Sequence, residues 1–170
     1  MRVSFCIPTH DGNARCQNYL FDIFHALSQQ TNKDFNVWIS DHSESNKVLD
    51  ACKEYADLFE INYIKNTKKY GNISANTNHA LQHADGDILK VLFSDDFILT
   101  CNLVSELDKA FSDEVKWAVT GYAHTVDDGQ THYNPKIPCY NDRLLEGVNT
   151  LSSPSILALK RGIDMYFDEN

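Results

Sequence analysis

The chain has 170 residues, enough for one compact domain, and its 42% hydrophobic and 23% charged residues are ordinary for a soluble globular protein. The formal net charge is −9, and no basic cluster is longer than the pair Lys68-Lys69, which argues against a nucleic-acid-binding protein. The longest apolar runs, residues 88–93 and 156–159, are far too short to cross a bilayer, and no signal peptide is visible.

Residues 1–111 alternate between short apolar runs and helical patterns. The β-branched and aromatic run VSFCI at residues 3–7 predicts a buried strand that ends at Pro8. Further strands are predicted at residues 35–40, 61–64 and 88–93. Apolar residues that recur every three or four positions predict four helices, within residues 16–27, 48–59, 73–84 and 103–111. Four strand–helix repeats predict an α/β fold with right-handed connections and a parallel sheet.

The pattern changes after the fourth predicted helix. Residues 115–122 are predicted to be extended, and Asp127-Asp128-Gly129 is a turn signal that favours a β-hairpin. Two prolines then interrupt regular structure, so residues 124–150 are predicted to form an irregular region on one end of the sheet. No repeat, low-complexity tract or linker divides the sequence, and we therefore expect residues 1–170 to form a single domain.

Polar residues follow three of the predicted strands, at residues 8–13, 40–43 and 94–96. In open parallel sheets, ligands bind at the carboxyl ends of the strands, at the point where the strand order reverses. We therefore expect these three clusters to lie near one another and to form the binding site.

Asp95-Asp96 is the most informative pair in these clusters. Two adjacent carboxylates directly after a buried strand repel each other, and a divalent cation would relieve that repulsion. Mg²⁺ or Mn²⁺ held by one or two carboxylates and by substrate phosphates is a common arrangement. The same pair also suits a turn or a helix N-terminus. Asp41 has two similar interpretations, an Asx-type cap or an acceptor for the imide N–H of uracil or thymine.

Several other site types are absent from the sequence. It contains no G-x-G-x-x-G, P-loop or G-x-S-x-G motif, and no histidine falls in a zinc-binding pattern, although His124 ends an extended stretch beside the irregular region. The five cysteines form no C-x-x-C motif. We expect them to be reduced thiols of a cytoplasmic protein, with the periodic ones in the core.

Four segments, taken in order, carry a resemblance to a known family. VSFCIPTHDG is similar to an entry strand VSIIIPTYN, with residues 8–11 at its last four positions. LSQQ followed by FNVWISDHSES is similar to S-I-x-x-Q…E-I-I-V-V-D-D-G-S, with Asp41 at the second Asp and Ser40 at the first. NTNHALQHADGDILKVLFSDD is similar to A-R-N-x-G-I-x-x-A-x-G-E-Y-I-x-x-L-D-D-D, in which Asn78 and Asp95-Asp96 match and Thr77 replaces Arg. SSPSILALKRG and a final FDE stretch complete a pattern that resembles glycosyltransferase family 2.

The resemblance implies a fold and a set of site residues. The fold would be GT-A, a Rossmann-like three-layer α/β/α sandwich on a mostly parallel sheet. Residues 1–100 would form its nucleotide-binding half and residues 101–170 its acceptor-side half. Pro8, Thr9 and His10 would line the pocket of the donor's base, and Asp41 would contact a pyrimidine imide. Asp95 would lie near the ribose and diphosphate. Asp11 and Asn78 would complete the donor-binding residues. Asp96, together with Asp95, would hold Mn²⁺ or Mg²⁺.

The resemblance also implies a reaction, in which a sugar passes from a nucleoside diphosphate to an acceptor hydroxyl, on a carbohydrate or another molecule, with inversion. UDP is the favoured donor nucleotide, with dTDP and GDP as the next choices, and the metal acts as a Lewis acid on the leaving diphosphate. The family's general base is a carboxylate that follows the FDE stretch. We therefore expect it beyond Asn170, in a longer polypeptide, with Asp164, Asp168 and Glu169 as the candidates within this chain.

Three alternatives stay open at this point. The first is a non-catalytic module that binds a nucleotide sugar but lacks the general base. The second is a nucleotidyltransferase, a class that usually has a Gly-rich basic loop after the first strand, where residues 9–15 offer only Gly12 and Arg15. The third is a structural α/β domain, for which the three polar clusters would be a coincidence.

Overall fold

The computed structural model describes residues 1–12, 15–127, 130–139, 141–147 and 149–170. Its strands are β1 (Val3–Thr9), β2 (Phe35–Asp41), β3 (Ile61–Lys65), β4 (Ile88–Val91), β5 (Trp117–Val119) and β6 (Leu157–Lys160). Its α-helices are α1 (Cys16–Ser28), α2 (Lys47–Tyr55), α3 (Ile73–His83) and α4 (Leu103–Ala110). Two short 3₁₀ helices lie at Asp142–Glu146 and Pro154–Ile156.

The six strands form one sheet in the order β3-β2-β1-β4-β6-β5. The pairs β1–β2, β1–β4 and β2–β3 are parallel, whereas β6 is antiparallel to both β4 and β5. The chain moves from β1 outward to β3 and then returns to place β4 on the other side of β1. The predicted mostly parallel sheet is therefore confirmed, and its strand order reverses between β1 and β4.

Helices cover both faces of the sheet, as the predicted three-layer α/β/α sandwich requires. On one face, Phe5 and Ile7 of β1 pack in a core with residues of α1, α2 and α4. On the other face, Cys6 packs with Ala80 and Leu81 of α3. Successive side chains of a strand point to opposite faces, so the continuous apolar run VSFCI supplies both cores.

Pro8 determines where the central crevice opens. Successive residues of β1 direct their backbone N–H and C=O groups to β4 and to β2 in turn. On the β4 side, Leu92 N–H donates to Cys6 O at 3.1 Å. On the β2 side, His42 N–H donates to Thr9 O at 3.0 Å. By this alternation Pro8 faces β4, and its missing N–H cannot extend the ladder past Cys6. Strand β1 still continues to Thr9 along β2. The predicted end of the strand at residue 7 was therefore wrong on the β2 side.

Strand β4 is also shorter than the predicted residues 88–93, since it ends at Val91. The N–H of Phe93 donates to Ser155 Oγ at 2.7 Å, which draws the chain away from the direction of β1. Residues 94–96 consequently leave the sheet beside the gap that Pro8 creates.

The C-terminal third departs most from the sequence-based expectation. Strand β5 pairs with β6, which lies antiparallel between β4 and β5 and was not predicted as a strand. Among the described residues, the predicted hairpin has an antiparallel bridge between Tyr122 and Lys136 and a bond from Tyr133 N–H to His124 O, and Asp128 and Gly129 of its turn lie outside them. Residues 157–159 are apolar, and by pairing with β4 they cover the edge of that strand, which would otherwise be exposed.

All five cysteines are free thiols. Cys6, Cys16 and Cys52 are buried, as predicted for the periodic positions, and Cys101 and Cys139 are exposed. Among the described residues, no helix combines the length and the apolar character needed to cross a membrane.

Lys90 is a buried cation in the middle of the sheet. It lies on β4 with only 2% of its surface exposed. Its ammonium group donates to the backbone oxygens of Ser155 and Leu157 and thereby ties β4 to the start of β6 and to the residues before it. Burial lowers the pKa of Lys90 from 10.5 to about 7, because the charged form loses hydration.

This shift predicts that stability rises with pH. Below about pH 7 the folded protein holds a buried charge, while the unfolded chain remains protonated up to about pH 10.5. The unfolded state therefore binds more protons between these values, and the free energy of unfolding increases across that window. We expect Lys90→Met to remove this slope, so that the stability of the variant relative to wild type is highest at pH 6 and falls by pH 9. Urea denaturation of both proteins at these two pH values measures the difference, and equal slopes would contradict a buried charge at this position.

Candidate functional site

A cavity of about 470 Å³ lies at the carboxyl ends of β1 and β4, where the strand order reverses. This is the place at which open α/β sheets bind ligands. Its lining comes from the ends of three strands, the first turn of α1 and the start of α3, and comprises Pro8, Thr9, His10, Cys16, Tyr19, His42, Gly71, Ile73, Asn76, Phe93, Ser94 and Asp95.

The three polar clusters meet here, as predicted. Ser43 Oγ accepts the N–H of Asp11 at 2.8 Å, which joins the end of β1 to the end of β2. The Asp11 carboxylate also accepts a hydrogen bond from the hydroxyl of Ser45. The bonds with Ser45 and Ser43 lower the pKa of the Asp11 carboxyl. Asp11 thus holds the two loops together and is absent from the lining, and Asn13 of the same cluster lies outside the described residues. Ser94 and Asp95 supply the third cluster.

Two histidines of the cavity lining, His10 and His42, contact the same tyrosine, Tyr70. His10 Nδ1 accepts the N–H of Gly12 at 2.7 Å, so its Nε2 carries the proton and donates to Tyr70 Oη at 2.8 Å. His42 Nε2 lies 3.0 Å from the carbonyl oxygen of Lys68, and its ring lies 6.0 Å from the Tyr70 ring. A Cβ at Gly12 would come within 2.7 Å of the His10 ring, so glycine permits this close approach.

Asn76 is a buried hub behind the cavity that the sequence did not reveal. Its Nδ2 donates to the carbonyl oxygens of Thr9, at 3.1 Å, and Ser40, at 2.9 Å. Its Oδ1 accepts from Ser40 Oγ, at 2.7 Å, and from Asn66 Nδ2, at 3.2 Å. One side chain therefore fixes the ends of β1 and β2 against α3. In the sequence, the one feature that could have drawn attention to Asn76 is its position in the polar segment Asn76-Thr77-Asn78.

Asp41 lies beneath the cavity and is absent from its lining. It is fully buried, and its Oδ1 accepts the N–H of Ser43 at 2.7 Å, the Asx geometry that was one of its two interpretations. Its Oδ2 accepts from Tyr63 Oη at 2.7 Å and from Lys65 Nζ at 3.3 Å. Both oxygens are therefore occupied by this chain's own donors.

The neighbours Asp95 and Asp96 have different environments. Asp95 is the one carboxylate among the described residues that line the cavity. Asp96 accepts the hydroxyl of Ser153 at 3.0 Å, and its N–H closes a turn onto Phe93 O. Within the described part of the chain, no three His, Cys, Asp or Glu side chains form a group that could hold a metal ion. A cation at Asp95 would therefore need oxygen ligands from a bound substrate.

Asn78 and the candidate bases are absent from the cavity lining. Asn78 bonds to Phe167 and to Glu169, and Glu169 also pairs with Lys69. The Asn78 and Lys69 contacts lower the pKa of Glu169, and hydrogen bonds from Asn170 lower that of Asp168. Asp164 lines a second cavity on the α3 side. His124 contacts Tyr122 and is not among the cavity residues.

Residues 4–161 match the sequence model of the family described as glycosyl transferase family 2. The chain belongs to glycosyltransferase family 2. No curated protein sequence matches it significantly.

Solved structures share the fold of this family 2 domain. The crystal structure of residues 1–349 of S. aureus TarS is 22% identical, with a TM-score of 0.54 over 65% of this chain and 31% of that chain. The structure of the same TarS fragment with UDP-GlcNAc is 23% identical over 65% of this chain and 30% of that one, with a TM-score of 0.53. The mannosyltransferase PcManGT from Pyrobaculum calidifontis, in complex with GDP-Man and Mn²⁺, is 19% identical over 68% of this chain and 34% of that chain, with a TM-score of 0.54. The family 2 domain thus spans about a third of each of these solved chains.

The hub at Asn76 yields a stability prediction for the family 2 domain. Asn76→Ala removes four hydrogen bonds and leaves buried partners unsatisfied, so we expect unfolding to become easier by about 3 kcal/mol. Asn18→Ala, on the exposed face of α1, is the control and should change stability by less than about 0.5 kcal/mol. Urea denaturation at constant pH measures both. A loss below about 1 kcal/mol for Asn76→Ala would show that the hub is dispensable.

Proposed function

We propose that the cavity between β1 and β4 binds the nucleoside diphosphate of a sugar donor, UDP in the first instance, together with a divalent cation. The domain would then serve transfer of the sugar to an acceptor hydroxyl with inversion. The observation that carries this proposal is the cavity itself, which lies at the switch point and combines one carboxylate with the rings of His10 and His42.

The two histidine rings suit a planar base. His10 and His42 line the cavity, and their orientations are fixed by Gly12, Tyr70 and the Lys68 carbonyl. Flat rings of this kind stack on nucleobases. A direct contact between Asp41 and a pyrimidine imide would require Asp41 to release Tyr63 or Lys65. The proposal therefore gives the base primarily to the two histidines.

The start of α1 and Asp95 suit a diphosphate with its counterion. Helix α1 begins at Cys16 on the lining, so the positive end of its dipole faces the cavity. The chain carries a net charge of −9, and a divalent cation would offset the repulsion between Asp95 and the phosphates. One carboxylate plus substrate phosphates is a ligand set that Mg²⁺ and Mn²⁺ accept, so Asp95 fits as the metal ligand. When bound, the cation would neutralise charge on the leaving diphosphate.

Structures of the neighbours are consistent with a nucleotide-sugar donor. TarS has been solved with UDP and with UDP-GlcNAc, and PcManGT with GDP-Man and Mn²⁺. They do not discriminate between uridine and guanosine for this chain. The smaller pyrimidine is retained as the proposal.

A second candidate function is donor binding without transfer by this chain alone. An inverting transfer needs a general base, and a base works best with a pKa near the working pH. The pKa values of Asp168 and Glu169 are instead lowered, and neither residue lines the cavity. Asp95 is assigned to the cation. This arrangement specifically favours a domain whose acceptor-activating carboxylate is not among the described lining residues.

The adjacent aspartates allow a matched test of the donor site. We expect UDP with Mn²⁺ to raise the melting temperature of wild type by several degrees at a hundred times its Kd. Asp95→Asn should weaken UDP binding at least about tenfold and abolish its dependence on Mn²⁺. Asp96→Asn is the control, since its carboxylate bonds to Ser153, and should bind UDP as wild type does. Calorimetric titration with UDP, GDP, dTDP and ADP, with Mn²⁺ or with EDTA, measures these affinities.

Other outcomes would correct the proposal. Loss of binding in Asp96→Asn but not in Asp95→Asn would move the metal to Asp96. Absence of binding to all four nucleotides would reject the donor site. Binding of UDP without its release from any UDP-sugar, in the presence of acceptors, would establish the second candidate function.

A further inference from the structure

The last residues of the chain are fastened to α3 by one buried side chain. Asn78 Nδ2 donates to Phe167 O at 2.8 Å and to Glu169 Oε1 at 2.7 Å. Asn78 Oδ1 accepts the N–H of Phe167 at 2.8 Å. With only 2% of Asn78 exposed, these three hydrogen bonds fix residues 167–169 in one register on the helix.

Glu169 extends the contact to the loop that precedes α3. Its Oε2 accepts from Lys69 Nζ at 2.7 Å, and its backbone oxygen accepts from Asn72 Nδ2 at 3.1 Å. Asn72 is also the N-cap of α3, where its Oδ1 accepts the N–H of Ala75 at 2.9 Å. Glu169 therefore holds the chain on both sides of Tyr70 and Gly71.

The held loop has an unfavourable backbone that requires such support. Lys69 has φ of 50° and Gly71 has φ of 77°, and since glycine adopts such an angle freely, the cost lies at Lys69. A residue with a Cβ adopts this region only at an energetic cost. Contacts from elsewhere in the fold are needed to keep the loop in this conformation.

Tyr70 connects this loop to the cavity through its contacts with two histidines. Its hydroxyl bonds to His10 and its ring approaches that of His42, while Lys68 O accepts from His42. Both histidines line the cavity. We propose that Asn78 and Glu169 are positioning residues, which act through residues 68–72 to hold His10 and His42 at the base end of the donor site. The link to donor binding rests on the proposed function.

The proposal makes a quantitative connection between loop order and affinity. If the donor binds only when the loop is in place, the apparent Kd rises as the fraction of molecules with an ordered loop falls. Glu169 and Lys69 are partly exposed, so a modest effect is expected from their ion pair.

The experiment compares amide hydrogen exchange at residues 68–72 with calorimetric affinity for UDP and Mn²⁺. Glu169→Gln removes the charge that Lys69 contacts, and Asn78→Ala removes the three bonds to the tail. The control is Glu106→Gln, which removes an equivalent exposed ion pair with Lys109 on α4, in the opposite helix layer. We expect Glu169→Gln to speed exchange in the loop roughly fivefold, and to weaken UDP binding by as much as the ordered fraction of the loop falls, which is at most the same factor. Combining Lys69→Glu with Glu169→Lys should restore both.

The two readouts separate this inference from the proposed function. Exchange needs no nucleotide, so faster exchange in a protein that never binds UDP would reject the donor site while the attachment of the loop stands. Unchanged exchange in Glu169→Gln, with the variant folded, would overturn the inference. Exchange in the loop that saturating UDP and Mn²⁺ do not slow would also overturn it, because donor binding would then not depend on the ordered loop.

Discussion

The missing N–H of Pro8 is the constraint on which the site depends. Strand β1 is the centre of the sheet, and it pairs with β4 only as far as Cys6 and Val91. Beyond that point proline has no donor to offer, so the ladder cannot close. The gap coincides with the reversal of strand order between β1 and β4. A local property of one residue and a global property of the topology thus produce the same crevice, and the cavity forms there.

Buried polar groups, rather than apolar packing, shape the walls of this crevice. Asn76 connects two strand ends and a loop through four hydrogen bonds, and the buried carboxylate of Asp41 is held by Ser43, Tyr63 and Lys65. Such networks are costly when one member is missing, and they leave little freedom when all are satisfied. The strand ends are therefore rigid, which suits a site that must orient a ligand.

The chemical capacity of the cavity follows from what reaches it. Asp95 contributes a carboxylate, α1 contributes the positive end of its dipole, and His10 with His42 contributes flat polar rings. These features are the basis of the proposal that the cavity binds a nucleotide-sugar donor. Membership of glycosyltransferase family 2, across residues 4–161, places the cavity in a family of sugar-transferring enzymes. The predicted cytoplasmic location and the acceptor stay predictions.

The sequence by itself determined the order of the strands and helices in the first 111 residues, the mostly parallel sheet and the end of the sheet at which the cavity lies. Those features follow from local periodicity and from general rules of βαβ topology, which need no knowledge of distant contacts. Only the tertiary structure decided the rest. After Val91 the backbone turns, so strand alternation no longer tells which of Asp95 and Asp96 faces the cavity. The partner of Asn78 lies 89 positions away, and β6 enters the sheet from a distant segment. Contacts of this range depend on how the whole chain packs, and residue type and spacing alone do not specify them.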